Sequence, residues 1–173
     1  MKQMQSDELR LMQRPLKDLY TQQPDAALIT LKSTGHLGDG ITCKIDTGKA
    51  LSDAGLHPAT GGTGLNVCSG DMLLEALVAC AGVTLNAVAT ALGIEIREGG
   101  VTAEGDLDFR GTLGVSKETP VGFQKIRLRF DLDTDTPPDE LENLIRLTEQ
   151  YCVVYQTLRN SPEFDISCTS PGD

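Results

Sequence analysis

Five cysteines are the side chains of this chain that could do chemistry most directly. They are Cys43, Cys68, Cys80, Cys152 and Cys168, and no two of them form a CxxC pair. A structural zinc site needs about four clustered Cys or His ligands, and the only histidines are His36 and His57. An odd number of cysteines without a secretion signal fits reduced thiols better than a framework of disulfides. We therefore expect redox or nucleophilic thiol chemistry with no metal site and no bound cofactor.

Composition limits the partners that such a protein can have. The 173 residues are enough for one domain with a real core. The net charge of −10 argues against binding to nucleic acid or to anionic membranes, because both need clustered Lys and Arg. Residues 1–20 are charged and lack the apolar core of a signal peptide. We expect a cytoplasmic protein that binds neither nucleic acid nor a membrane.

The most apolar run, from Ser69 to Gly93, predicts a long central helix. Ser69 is a candidate cap, Asp71 suits the electropositive first turn, and Gly93 is a typical stop. Between Asp71 and Gly93 only Glu75 is charged, and apolar residues occur on nearly every face. This pattern predicts a helix that is buried all round, with Cys80 at its middle.

The remaining pattern predicts strands on both sides of this helix and a second helix near the end. The strands are expected at Ala26–Leu31, Ile41–Asp46, Ile94–Glu98, Val101–Thr112, Val121–Asp133 and Phe164–Thr169. A hairpin connection is expected at Gly35–Gly40 and a long loop at Thr47–Cys68. The second helix should begin at Pro137 and Pro138 and carry Cys152 on its inner face. This order favours an α+β fold.

Two cysteine-containing segments resemble the OsmC/Ohr family. The run Ser69–Cys80, SGDMLLEALVAC, resembles the segment with an acid, two leucines and a terminal Ala-Cys that opens the family's central helix. The run Tyr151–Leu158, YCVVYQTL, resembles the second cysteine motif, usually Cys-Pro-Val followed by a polar residue and Leu. The resemblance implies an OsmC-like domain over residues 25–173, after an N-terminal arm or helix at 1–24. It implies an antiparallel sheet packed on a long buried helix, in an intertwined homodimer.

The resemblance also implies a thiol-dependent peroxidase that acts on small organic hydroperoxides. Cys80 would attack the peroxide as a thiolate and become a sulfenic acid, and Cys152 would condense with it to a disulfide. An external dithiol would then reduce that disulfide.

Two positions depart from the family pattern. Family peroxidases hold an Arg beside the thiolate with an acid, and Asp71 stands where that acid would be. No Arg lies between Arg14 and Arg97, so Arg14 or Arg10 of the N-terminal arm is the candidate replacement. Val153 stands where the family has proline after the second cysteine.

Each candidate site residue also has a structural interpretation. Cys80 lies mid-helix among apolar neighbours, where desolvation should raise the pKa of its thiol. Asp71 lies nine residues before Cys80, about 13 Å along a helix and on its opposite side, so it suits a capping role. Glu75 would be a buried carboxylate in need of a partner. The alternative function is a catalytically silent OsmC-like dimer that binds a small apolar ligand in the cleft between subunits.

Overall fold

The computed structural model describes residues 5–8, 11, 14, 22, 34–37, 42–46, 51–114 and 116–169. The strands are β1 (Thr34–Leu37), β2 (Thr42–Asp46), β3 (Leu51–Gly55), β4 (Val67–Cys68), β5 (Glu98–Leu107) and β6 (Phe123–Asp133). The helices are α1 (Ser69–Leu92), α2 (Phe109–Thr112), α3 (Pro138–Tyr151) and α4 (Val153–Arg159). Strands and helices therefore mix in the α+β manner that the sequence predicts.

The central helix α1 forms where the sequence predicts it. It ends at Leu92, and Gly93 takes the left-handed conformation with φ of 73°, which glycine adopts without a steric penalty. Asp71 lies in the first turn, as expected. The cap prediction is wrong, because Cys68 occupies the N-cap position without a side-chain hydrogen bond and Ser69 is the first helical residue.

The described strands form two separate sheets. In the first, β1, β2 and β3 pair antiparallel in order, and β4 runs parallel to β3. In the second, β5 and β6 pair antiparallel along nearly their whole length. Asp106 pairs with Lys125 while Leu107 pairs with Phe123, so Gln124 is the extra residue of a β-bulge. The bulge turns Phe123 to the side of the sheet that carries Leu107.

One stripe of α1 forms the centre of the core. Its buried residues Leu77, Ala81, Leu85 and Ala89 recur every four positions. They pack against the β5–β6 pair and against α3 and α4. By length and composition alone α1 could cross a membrane, but this buried stripe packs as the core helix of a folded domain does.

The opposite side of α1 is uncovered in the single chain. Ala76 and Ala79 are exposed, and Val83 is 72% exposed. The prediction of a helix buried all round is therefore wrong for one chain. The reason is that one β-sheet and two helices cover only part of a helix's circumference.

Several predicted element boundaries differ from the structure. Gly35–Leu37 belong to β1 rather than to a hairpin connection, and the predicted loop Thr47–Cys68 contains β3 and β4. The predicted strand Ala26–Leu31 lies outside the described residues. Pairing with β2 accounts for β3, whose own sequence has no clear alternation.

Three later strand predictions are also corrected. The predicted strand Ile94–Glu98 keeps only Glu98, because the N–H of Ile94 continues the helix cap by donating to the carbonyl of Ala89 at 2.9 Å. β5 stops at Leu107, since the Asp108 carboxylate caps the short helix α2. Residues 164–169 form no strand in the single chain, where the apolar side chains of Phe164 and Ile166 are exposed.

Candidate functional site

The structure brings Cys80 and Cys152 together. Cys152 is 1% exposed and forms a buried cluster with Leu77 and Ala81. Cys80 is half-buried and packs against the same cluster. Both are free thiols, and the nearby Cys152 thiol is one of the groups that lower the pKa of Cys80. Two cysteines from distant parts of the sequence are thus in position to react with each other.

Cys152 lies at an interruption between two consecutive helices, and this places it against the cluster that Cys80 contacts. α3 ends at Tyr151, Cys152 is extended with φ of −74° and ψ of 107°, and α4 begins at Val153. The prediction that Cys152 lies on the inner face of one continuous helix is therefore wrong. Its N–H donates to the carbonyl of Thr148 and its carbonyl accepts from the N–H of Gln156, both at 2.9 Å. The break leaves no backbone group of Cys152 without a partner.

Two side chains tie α4 back to α3 across this break. The Tyr155 hydroxyl donates to the Glu149 carboxylate at 3.2 Å. The Gln156 side-chain amide donates to the Glu149 carbonyl at 2.8 Å. These bonds fix the direction in which the first N–H groups of α4 point.

The pKa of the Cys80 thiol lies below its ordinary value, contrary to the sequence prediction. Burial does raise this pKa, as expected. Hydrogen bonds outweigh it, and their donors are the backbone N–H of Val154, the Cys152 thiol, the backbone N–H of Val153 and the Thr84 hydroxyl. Each of these donors is a neutral group. The first N–H groups of a helix have no acceptor within it, so those of α4 are available to the sulfur.

The pKa of the Cys152 thiol shifts in the opposite direction. Burial raises it most, and the neighbouring Cys80 sulfur raises it further. Hydrogen bonds from the backbone N–H groups of Tyr155 and Val154 oppose this rise without cancelling it. The pair therefore favours a thiolate on Cys80 and a protonated thiol on Cys152.

A cavity of about 500 Å³ lies near Cys152, although neither Cys80 nor Cys152 lines it. Its floor is formed by Leu77 and by the inward-facing residues of β6, including Ile126, Leu128 and Phe130. Lys125, Glu149 and Arg159 add charged groups to its lining. The cavity shares Leu77 and Tyr155 with the residues that surround Cys152. An apolar molecule with a polar end matches this lining.

The two predicted carboxylates do not reach Cys80 of their own chain. Asp71 lies about 13 Å away along the axis of α1, at the N-terminal end, where it lines a second cavity of about 360 Å³ together with His57 and Cys68. Glu75 is exposed in the single chain, so the prediction of a buried carboxylate is wrong there. Any role of these two residues at the thiols remains a prediction.

The placement of Arg14 or Arg10 beside Cys80 also remains a prediction. Arg14 is exposed, and Arg10 lies outside the described residues. Sequence reasoning missed the neutral donors that the structure places at Cys80. The spacing of Thr84, one helical turn after Cys80, could have suggested its hydroxyl. A backbone N–H from a distant segment leaves no side-chain signal.

Together these features define an α+β protein with two neighbouring cysteines, whose thiol pKa values shift in opposite directions, near a cavity with an apolar floor and charged groups in its lining. The sequence model of the family described as OsmC-like protein matches residues 62–167. The chain belongs to the OsmC-like protein family. A comparison with curated protein sequences found no significant match.

Solved structures show the same fold at low sequence identity. An OsmC-like protein from Mycoplasma pneumoniae is 18% identical, with a TM-score of 0.66 over 77% of this chain and 89% of its own. An organic hydroperoxide resistance protein OsmC from Legionella pneumophila is 21% identical, with a TM-score of 0.61 over 78% and 92%. The organic hydroperoxide resistance protein OhrB of Bacillus subtilis is 24% identical, with a TM-score of 0.52 over 78% and 94%. The prediction of this family from two cysteine segments is confirmed.

Proposed function

We propose that this protein is a thiol-dependent peroxidase that reduces small organic hydroperoxides. The observation that carries the proposal is the contact between Cys80 and Cys152, with pKa values shifted in opposite directions. The lowered pKa of Cys80 supplies the thiolate that attacks the peroxide. The raised pKa of Cys152 keeps its sulfur protonated until the disulfide forms. A cysteine pair with only a packing role does not need this division.

The reaction follows from the two sulfurs. The Cys80 thiolate attacks the terminal oxygen of the hydroperoxide, an S–O bond forms, the O–O bond breaks, and the alkoxide leaves and takes a proton as the alcohol. Cys80 is then a sulfenic acid. The Cys152 sulfur attacks it, a disulfide forms, and the leaving hydroxide combines with the Cys152 proton as water. An external dithiol is oxidised as it returns both cysteines to thiols.

The cavity beside the thiols supports an organic rather than an inorganic peroxide. Its floor of Leu77, Ile126 and Phe130 offers an apolar surface that hydrogen peroxide could not use. An alkyl or aryl group bound there would hold its peroxide group near the cysteines. Binding of this apolar part would appear as a lower KM for longer or bulkier hydroperoxides.

The proposal includes a cytoplasmic homodimer built on the uncovered side of α1. Ala76, Ala79 and Val83 form an apolar strip there, and Cys80 lies at its edge. A second copy packed along this strip would cover the open side of Cys80. We expect such a dimer to bury more than the ~1,600 Å² of a standard interface, because its subunits would share a core.

The test is consumption of an organic hydroperoxide in the presence of a dithiol. Cys80→Ser should abolish it, whereas Cys152→Ser should accumulate a sulfenic acid at Cys80 that a dimedone reagent can trap. Cys168→Ser is the matched control, because Cys168 is an exposed thiol outside the cluster. A wild-type protein that consumes no more peroxide than Cys80→Ser would contradict the proposal.

The second candidate is the catalytically silent dimer that binds a small apolar ligand. The size and lining of the cavity favour it, and so do the neutral donors at Cys80, where an arginine was expected. It predicts saturable binding of an apolar fluorescent probe in both wild type and Cys80→Ser, without loss of peroxide in either. Peroxide consumption that depends on Cys80 would exclude it.

A further inference from the structure

Phe123 lines both of the cavities described above. It is half-buried, and it contributes to the cavity of about 500 Å³ near Cys152 and to the second cavity of about 360 Å³. Leu77 of α1 lines the first cavity, and Leu74, three residues earlier, lines the second. Residues with this spacing are neighbours on a helix surface. The two cavities therefore follow each other along α1, and Phe123 lies where they meet.

The β-bulge in β6 explains why the Phe123 ring lies on this side of the sheet. Leu107 pairs with Phe123, whereas the preceding pair on the ladder ends at Lys125, so Gln124 is the extra residue. In a regular strand Phe123 and Lys125 would share a face, because side chains alternate. The bulge instead turns Phe123 inward. The Gln124 side-chain amide donates to the carbonyl of Gly122 at 3.1 Å and so helps to hold this turn of the backbone.

Two glycines leave room for the ring. Gly105 lies on the facing strand β5, and a Cβ atom added there would overlap the Phe123 ring. Gly70 lies in the first turn of α1, where an added Cβ would be 3.6 Å from the Cζ atom of Phe123. The ring therefore reaches from the sheet to the start of α1.

We propose that Phe123 is a specificity-determining residue that ends the first cavity and limits the length of the alkyl chain bound there. The inference rests on the proposed function in taking a linear alkyl hydroperoxide as the ligand. With its peroxide group near the cysteines, such a molecule lays its chain along Leu77 and Ile126 toward Phe123. A longer chain meets the ring. Each methylene group kept out of the cavity forgoes a gain of roughly fourfold in affinity.

The second cavity lies beyond the ring and gives a longer chain somewhere to go. Its lining combines the apolar side chains of Leu74, Leu107 and Phe109 with polar groups, which include the His57 ring. Removal of the ring would join the two cavities along α1. Cys68 lines the second cavity as a half-buried free thiol. Its alkylation therefore reports whether a chain has entered that cavity.

The experiment uses n-hexanol and n-decanol, the alcohols that reduction of the corresponding hydroperoxides would yield. Calorimetry measures their binding to the reduced protein. The preference for decanol over hexanol should be about tenfold or more larger in Phe123→Ala than in the wild type. Saturating decanol should also protect Cys68 from iodoacetamide in Phe123→Ala and leave it unprotected in the wild type, as measured by mass spectrometry of the Cys68 peptide.

Phe130→Ala is the matched control, because Phe130 lines the first cavity and not the second. This variant enlarges the first cavity by the same side chain, but decanol should leave its Cys68 unprotected. Circular dichroism and the thermal midpoint report whether each variant is folded. If Phe123→Ala does not fold, Phe123→Leu removes the ring while it keeps an apolar side chain, and it should give the same protection.

The outcomes separate this inference from the proposed function. Protection of Cys68 by decanol in the wild type, or its absence in the folded variant without the ring, would overturn the inference whatever the peroxidase assay shows. The expected protection in a protein that consumes no peroxide would support the length limit and contradict the peroxidase. In an active peroxidase, an unchanged ratio of the KM values for hexyl and decyl hydroperoxide in Phe123→Ala would contradict the inference alone.

Discussion

The two sides of α1 both carry apolar residues but have quite different surroundings. On one side Leu77, Leu85 and Ala89 pack against the sheet and the later helices of the same chain. On the other side Ala79 and Val83 are apolar and exposed. An exposed apolar strip of this kind is the surface on which the proposed second copy would pack. The difference shows that the elements of one chain bury only one side of its central helix.

Cys80 lies on the border between these two sides. Leu77, one turn before it, is fully buried, and Val83, nearly one turn after it, is 72% exposed. At this border the thiol of Cys80 is half-buried, and nearby groups, which include the backbone of Val153 and Val154, lower its pKa. A cysteine at the centre of the buried side would be inert, and one at the centre of the exposed side would have no donors.

The largest effect should come from placing a charge on the exposed side. Val83→Asp should convert the proposed dimer to a monomer, because an unpaired carboxylate in an apolar interface is costly. Val121→Asp is the control, since Val121 is 73% exposed and lies outside the strip. Light scattering at micromolar concentration measures the result. If the wild type is a monomer, or if Val83→Asp remains a dimer, the exposed strip of α1 is not the interface between two copies of this chain.

Shortening a side chain on the buried side of α1 should destabilise the fold whether or not the protein is a dimer. Leu85→Ala removes a buried side chain from the contact with α3 and should lower the free energy of unfolding by about 2–5 kcal/mol. Val121→Ala, on the exposed surface, should change it by less than about 0.5 kcal/mol. Urea unfolding at a fixed protein concentration compares the two. If the two variants lose the same free energy of unfolding, the core is not centred on the buried stripe of α1.

Much of the fold could be predicted because its signals are local. The long apolar run and Gly93 fix α1 to within one residue, and Pro138 marks the start of α3. β3 was missed because its pairing with β2, rather than its own pattern, makes it a strand. The predicted strand at Ile94 failed because the helix cap reaches one residue past Gly93.

The site was less predictable because its chemistry depends on contacts between distant segments. The family resemblance singled out Cys80 and Cys152, which lie together in the structure. The argument about the Cys80 pKa, however, considered only the helix that carries it. The groups that outweigh the effect of burial include the backbone of Val153 and Val154, which follow an interruption between two helices that no residue pattern predicted. The sequence of one chain also does not identify the residues that would pack on the exposed strip.

The opposite pKa shifts predict an order of reactivity within the cysteine pair. Because the pKa of Cys80 is lowered, its thiolate should persist to lower pH, and its alkylation should have a midpoint below that of N-acetylcysteine. Because the pKa of Cys152 is raised, its alkylation in the wild-type protein should have a midpoint above that of Cys80. At pH 7 Cys80 should therefore react first. The reverse order would contradict the assignment of the two sulfurs.

The smallest effect should come from Thr84, which lies on the same border as Cys80. Its hydroxyl is one of the groups that lower the pKa of Cys80. Thr84→Val has nearly the same shape but cannot donate, so the apparent pKa of Cys80 should rise slightly. Thr84→Ser keeps the hydroxyl and should restore most of the wild-type profile, which a purely structural role for Thr84 would not explain. The measurement is the same alkylation profile, with the thermal midpoint as a check on folding. An unchanged profile in a folded Thr84→Val protein would contradict a contribution of the Thr84 hydroxyl to the pKa of Cys80.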